Sequence, residues 1–280
     1  MPNDAGQPGD SRPIIRLEGV CKAYGRLRVL DNLNLAIERG RTTVIIGPSG
    51  VGKSVLIKHI VGLERPDSGA IWFEDQRVDQ LNEAELVAVR RRVGYLFQMG
   101  ALFDSMTVRD NICFPLIQHT PMSIGEMDHR CAAVLEMVGL AGIGTQMPAS
   151  LSGGQRKRVA LARAIVLEPD VVLYDEPTTG LDPIRADVIN ELINELGRRL
   201  GITSIAVTHD MASARKIADR MVMLYDGHIV ADGEPEAFLA APNDLVQRFI
   251  KGQAEPAELA AIRQNATRVR PAASAKDAKP

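Results

Sequence analysis

Gly47-Pro48-Ser49-Gly50-Val51-Gly52-Lys53-Ser54 matches the phosphate-loop pattern at every required position: a glycine, four residues, then Gly-Lys-Ser or Gly-Lys-Thr. The run before it, Thr42 to Ile46, is short, apolar and β-branched, as a buried parallel strand requires. After it, Val55, Leu56, Ile57, Ile60 and Val61 recur at helical spacing, so a helix begins at the loop. A strand, a glycine-rich bend and a helix N-terminus together make an anion site. Glycines let consecutive N–H groups point inward, and the helix dipole favours negative charge there. Lys53 is spaced to reach the β- and γ-phosphates of a nucleoside triphosphate and the Ser54 hydroxyl to ligate Mg²⁺.

Composition narrows the partners. The chain has 280 residues, with 33 Lys+Arg against 35 Asp+Glu. This length can bury a substantial core, and the near-neutral balance gives no field for nucleic acid. Cys21, Cys113 and Cys131 are far apart and show no metal-ligand spacing, which fits a reducing compartment. No apolar run approaches the ~20 residues of a membrane span, so work at a membrane is expected to go through a partner.

Outward from the phosphate loop, Ile14 to Tyr24 and Val29 to Ile37 read as strands, with turns at Gly25 and at Arg39-Gly40. Tyr24 could stack on an adenine ring or be a half-buried strand tyrosine. Ala70 to Phe73 is a further strand, Asn82 to Arg91 a short polar helix, and Val93 to Gln98 a strand ending in Gln98. The texture then becomes helical. Thr107 is a cap for a helix that Pro115 ends or kinks, and Ser123 with Glu126 forms a capping box for a helix stopping near Gly139. This block, about residues 99–165, reads as an insertion into an α/β core. The core resumes with Val171 to Tyr174. Ile184, Val188, Leu192, Leu196 and Leu200 form the expected buried face of a helix, and Ser204 to Thr208 is the next strand. Met221 to Val230 reads as a hairpin around Asp226-Gly227. Residues 1–13 are an expected disordered lead-in, and the Ala/Pro/charge-rich stretch from about Pro256 an expected mobile tail.

Two further motifs carry chemistry. Val171-Val172-Leu173-Tyr174-Asp175-Glu176 is an apolar strand ending in two carboxylates. Asp175 fits the carboxylate that helps hold Mg²⁺ beside a phosphate loop, and Glu176 can reach the water that attacks the γ-phosphate. Leu151-Ser152-Gly153-Gly154-Gln155 opens a helix, with Ser152 as cap and two glycines exposing N–H groups at its positive end. These residues carry a resemblance: Leu-Ser-Gly-Gly-Gln is similar to the signature of the ATP-binding-cassette (ABC) ATPases, and residues 14–240 resemble one such cassette. The aromatic before the phosphate loop matches Tyr24, the glutamine loop Gln98, the aspartate loop Leu181-Asp182, and the switch histidine His209. Asp182 before Pro183 would equally be a helix cap, and His209 alone an ordinary loop histidine.

The resemblance implies an α/β phosphate-loop core with an antiparallel β subdomain and an inserted α-helical signature subdomain. It implies ATP and Mg²⁺ as ligands, Glu176, His209 and Gln98 as the catalytic group, and Ser54, Gln98 and Asp175 around the metal. It also implies a head-to-tail homodimer, with ATP between one phosphate loop and the partner's Ser152 to Gln155. The stretch between Gln98 and Leu151 is too short for the coiled coil of repair-type members, and a single cassette differs from translation-type members. A transporter subunit remains. Gly47 to Lys58, Phe97 to Val108 and Gln247 to Gly252 resemble the Mla/MCE-type lipid-transport ATPases. That similarity implies permease and lipid-binding accessory subunits, no nucleic acid, and the cytoplasmic face of a bacterial inner membrane. An ATPase of a small-molecule importer, and a soluble non-transport ABC ATPase, are the alternatives.

Overall fold

The computed structural model describes residues 12–254. The tail expected after Pro256, and all but the last two residues of the expected lead-in, lie outside that range.

Two sheets organise the molecule. The first is antiparallel: strands β1 (Ile15–Tyr24), β2 (Leu27–Ile37), β4 (Ser68–Phe73) and β5 (Gln76–Arg77) lie in the order β2-β1-β4-β5. The second has six strands in the order β10-β9-β3-β8-β7-β6. They are β3 (Thr42–Ile46), β6 (Val93–Leu96), β7 (Val171–Asp175), β8 (Thr203–Thr208), β9 (Arg220–Tyr225) and β10 (His228–Gly233). All neighbours in it pair parallel except β9 with β10, which form the hairpin expected at Asp226-Gly227. Both turn residues have positive φ (46° and 79°), which a two-residue turn of matching twist requires.

Residues of β3, β7 and β8 are buried throughout, because both faces of this sheet are covered. Alternation divides their side chains between two cores. Ile45, Leu173, Ile205 and Val207 meet the antiparallel sheet and helix α1 (Lys53–Ile60). Val44, Ile46, Val172, Tyr174 and Ala206 join the opposite core. That core runs on into helices α3 (Val108–His119), α4 (Ile124–Met137) and α5 (Gly153–Ile165) through Leu96, Ala160, Leu161 and Ile165.

Two local expectations are narrowed or corrected. Of the two outcomes expected at Pro115, ending the helix is excluded: α3 continues to His119. Burial of Ile112, Cys113 and Leu116 on either side outweighs the one hydrogen bond that proline removes. The buried face of α6 (Pro183–Leu200) is also rotated from the expected one. Ile184 is 78 % exposed and Val188 43 %, whereas Ile189, Asn190, Ile193 and Leu196 are buried. A strict four-residue step drifts around a 3.6-residue helix, so residues from 184 to 200 cannot all face one core. Helices α2 (Glu83–Arg91), α7 (Met211–Ile217), α8 (Pro235–Leu239) and α9 (Asp244–Ile250) complete the fold.

Candidate functional site

The phosphate loop is shaped by three glycines with positive φ: Gly47 at 153°, Gly50 at 80° and Gly52 at 107°. Space as well as dihedral selects Gly47 and Gly52, whereas a Cβ at Gly50 would meet nothing within 4 Å. A Cβ at Gly47 would lie 2.2 Å from the Leu224 carbonyl oxygen, and one at Gly52 would lie 2.4 Å from Val29 Cγ1. Gly52 is the N-cap of α1 and offers no side-chain cap, so the first N–H groups of the helix are left for an anion.

Lys53 turns back over this loop. Its side chain is 6 % exposed, and Nζ donates to the carbonyls of Gly47 (2.8 Å) and Pro48 (2.9 Å), with Glu176 Oε1 at 3.9 Å. Burial pushes its pKa down, and the charges of Glu176 and Asp175 oppose that shift. Ser54, next along, donates from Oγ to Asp175 Oδ1 at 2.7 Å. Parallel pairing of β7 with β8, and of β8 with β3, brings the end of β7 beside the loop that follows β3. Two oxygen donors thus meet at the loop's edge, a hard-donor set that suits Mg²⁺. Among the described residues no group of three His, Cys, Asp or Glu could hold a metal alone.

Glu176 leaves the strand with φ of 49°, a left-handed conformation unusual for a residue with a Cβ. Its carboxylate lies 3.0 Å from His209 Nδ1 and accepts from Thr179 Oγ1 (3.1 Å) and Thr208 Oγ1 (3.4 Å). Glu176 is 8 % exposed, while the His209 side chain is about half exposed. The arrangement can hold a negative oxygen next to the phosphate loop and link it to an imidazole. Tyr24, Val29, Ser49, Lys53, Gln98 and Glu176 face one cleft of about 360 Å³. Tyr24 is 45 % exposed at its rim, free enough on one side to take a flat ring.

Ser152, Gly153, Gly154, Gln155 and Asp182 do not line this cleft. Ser152 and Gln155 form a reciprocal capping box on α5: Ser152 N–H donates to Gln155 Oε1 (2.9 Å) and Gln155 N–H to Ser152 Oγ (3.3 Å). Asp182 caps α6 by accepting from Arg185 N–H at 3.0 Å. Both structural roles foreseen for these residues are filled, yet neither explains the glycine pair. A Cβ at Gly153 or Gly154 would meet only ordinary contacts with Leu181 and Arg185.

Sequence reasoning missed Tyr95, Thr179 and Thr208. Tyr95 OH donates to Asp175 Oδ2 at 3.3 Å, and burial, with the Asp175 charge, raises its pKa. The alternation Val93, Tyr95 in β6 was the available signal, since it points both toward the face of β7 that carries Asp175. Thr179 and Thr208 flank the motifs without belonging to their patterns.

Residues 30–179 match the family model described as ABC transporter. The chain is 41 % identical over 242 residues to the "Intermembrane phospholipid transport system ATP-binding protein MlaF" of Escherichia coli K12, covering 86 % of this chain and 90 % of that protein. A "Probable ribonucleotide transport ATP-binding protein mkl" of Mycobacterium leprae is 39 % identical over 239 residues, covering 85 % of this chain and 69 % of that protein. A solved ATP-binding cassette, MJ0796, dimeric and bound to ADP and Pi, superposes with a TM-score of 0.73 at 34 % identity. That match covers 79 % of this chain and 98 % of the cassette. Cassette geometry, family match and relatives agree that this chain belongs to the ABC transporter family, as one of its ATP-binding, ATP-hydrolysing subunits.

Proposed function

We propose that the chain drives phospholipid transport between the inner and outer membranes, as a homodimeric motor on the cytoplasmic face of a bacterial inner membrane. The observation that carries the motor reading is the meeting of Lys53, Ser54 and Glu176 in one cleft, with Asp175 bonded to Ser54, His209 bonded to Glu176, and Ser152 to Gln155 outside it. A chain with its own γ-phosphate machinery and a separate, uncovered anion site is completed by a second copy packed head to tail. The relative bound to ADP and Pi is itself dimeric.

In the proposed site Tyr24 stacks on the base, and the N–H groups from Ser49 to Ser54 with Lys53 Nζ hold the phosphates. Ser54, Asp175 and Gln98 would hold Mg²⁺, which when bound neutralises phosphate charge. Glu176 accepts the proton of the attacking water, and His209 orients that carboxylate and reaches toward the γ-phosphate. Ser152 to Gln155 and Asp182 serve the nucleotide of the partner subunit.

Membrane attachment goes through permease subunits, because no helix among the described residues is long and apolar enough to cross a membrane. The surface after Gln98 suits that contact. Met99 is 87 % exposed and Phe103 41 %, beside an aromatic groove of about 440 Å³ lined by Tyr95, Phe97, Phe103, Phe114 and Pro115. Phospholipid is preferred as cargo because the relative named for it matches at higher identity and over more of its length than the one named for ribonucleotides. MCE-type lipid-binding subunits would complete the machine. The test is to recover the chain's partners from membranes, reconstitute them in vesicles, and follow labelled phospholipid and labelled ribonucleotide with ATP. ATP-dependent lipid transfer supports the proposal; ribonucleotide movement without lipid transfer refutes it.

A further inference from the structure

Lys157 sits on α5 one turn beyond the Ser152 cap, yet it faces the interior and is 6 % exposed. Both its burial and its place near a positive helix end are unfavourable for a cation. Burial pushes its pKa down, with Asp175 and Glu176 opposing that shift. Something must repay this cost. Its Nζ donates to two backbone carbonyls from different segments, that of Gln98 and that of Glu176, the latter at 3.2 Å. The Glu176 backbone is thereby held on both sides of its Cα, since its N–H donates to Val207 O at 3.0 Å. Further along α5, Arg163 donates to the carbonyls of Gly100 and Ala101, each at 2.8 Å. Two cations of one helix therefore grip the loop that begins at Gln98, and one of them also grips the residue that carries the carboxylate. Lys157 thus joins three segments, α5, the loop after β6 and the end of β7, through one side chain.

We infer that Lys157 is a positioning residue that couples the start of α5 to the reacting end of its own cleft. When Ser152 to Gln155 close on the nucleotide of a neighbouring copy, α5 carries Gln98 and Glu176 with it, and the aim of the Glu176 carboxylate is set by occupancy of the other site. Lys157 touches neither nucleotide. Its effect is on rate and on communication between sites, and not on affinity. This rests on Glu176 being the general base, so the test must separate the two ideas.

The experiment uses the full-length chain and its variants Lys157→Met, which keeps the bulk and removes the donors, and Lys157→Arg, which keeps them. Steady-state hydrolysis, the Hill coefficient for ATP, the Kd for ATP and the melting temperature are measured for each, with Glu176→Gln alongside. Lys157→Met should lose about tenfold or more in kcat and its Hill coefficient should fall toward one, with the Kd for ATP within about threefold. Lys157→Arg should recover most of both. Unchanged kcat and Hill coefficient in Lys157→Met overturn the inference. So does a fall in kcat matched by equal loss of ATP affinity and melting temperature, because that marks a merely structural lysine. If Lys157→Met does not fold, Lys157→Gln, which shortens the side chain and removes its charge, decides: a folded variant with unaltered kcat and cooperativity overturns the coupling. Normal hydrolysis by Glu176→Gln would instead remove the general base itself, whatever Lys157 does.

Discussion

Replacing Glu176 with Gln removes one negative charge and leaves the side-chain shape unchanged. The amide oxygen can still accept from Thr179 and Thr208, now 3.1 and 3.4 Å from the carboxylate, and the amide nitrogen can face His209 at 3.0 Å. Geometry should therefore survive. Two electrostatic effects follow. Lys53 loses an attraction that at 3.9 Å and an effective dielectric near 20 is gross roughly 4 kcal/mol, less in net because it keeps two carbonyls and the charge of Asp175. The triphosphate loses a like-charged neighbour, so ATP should bind at least as tightly as before. Catalysis loses its proton acceptor, which typically costs ~10²–10⁴ in rate, or about 3–5 kcal/mol on the barrier. Steady-state phosphate release, the Kd for ATP, and light scattering with and without ATP read all three consequences. The expected result is slow turnover, unweakened binding and an ATP-dependent dimer, which the further change Ser152→Arg abolishes. Hydrolysis by Glu176→Gln at the unmodified rate would refute the reasoning and reduce Glu176 to a polar strand end.

Gly47→Ala should destabilise the chain by about 1–3 kcal/mol or more, because its Cβ would meet the backbone oxygen of Leu224 at 2.2 Å; a lowered melting temperature and lost ATP binding check this. Phe103→Asp should leave ATP binding and melting intact but release the chain from membranes in a flotation assay, since that ring is 41 % exposed beside the aromatic groove. Glu74 accepts from both Arg92 Nη atoms (2.7 and 2.9 Å) and from Arg39, and these bonds, Arg92 first, lower its pKa from 4.5 to about 2. A depressed folded pKa means this stabilisation is whole above about pH 4.5 and is lost as pH falls toward 2. Glu74→Gln should therefore flatten the melting temperature between those limits, and an unchanged acid limb would count against the pair.

Much of this protein was legible in the order of its residues, because its main motifs are local. A phosphate loop is consecutive amides, so Gly47 to Ser54 specify their own bend and the helix after it. The caps at Ser123, Ser152 and Asp182, and the Asp226-Gly227 turn, are likewise satisfied within three or four residues. Asp175 and Glu176 could be singled out because an apolar run ends on them. What the sequence could not specify depends on neighbours from distant segments. Whether Pro115 breaks α3 was decided by the packing on either side of it, and which face of α6 is buried by the angle at which that helix meets the sheet. The meeting of Ser54 with Asp175, and of Glu176 with His209, follows from the strand order β3-β8-β7, a parallel pairing that short-range pattern does not encode. Lys157 is the clearest case. By sequence it is one of three successive cations and indistinguishable from a solvated lysine. Only the packing of α5 against the loops after β6 and β7 turns it inward onto two carbonyls.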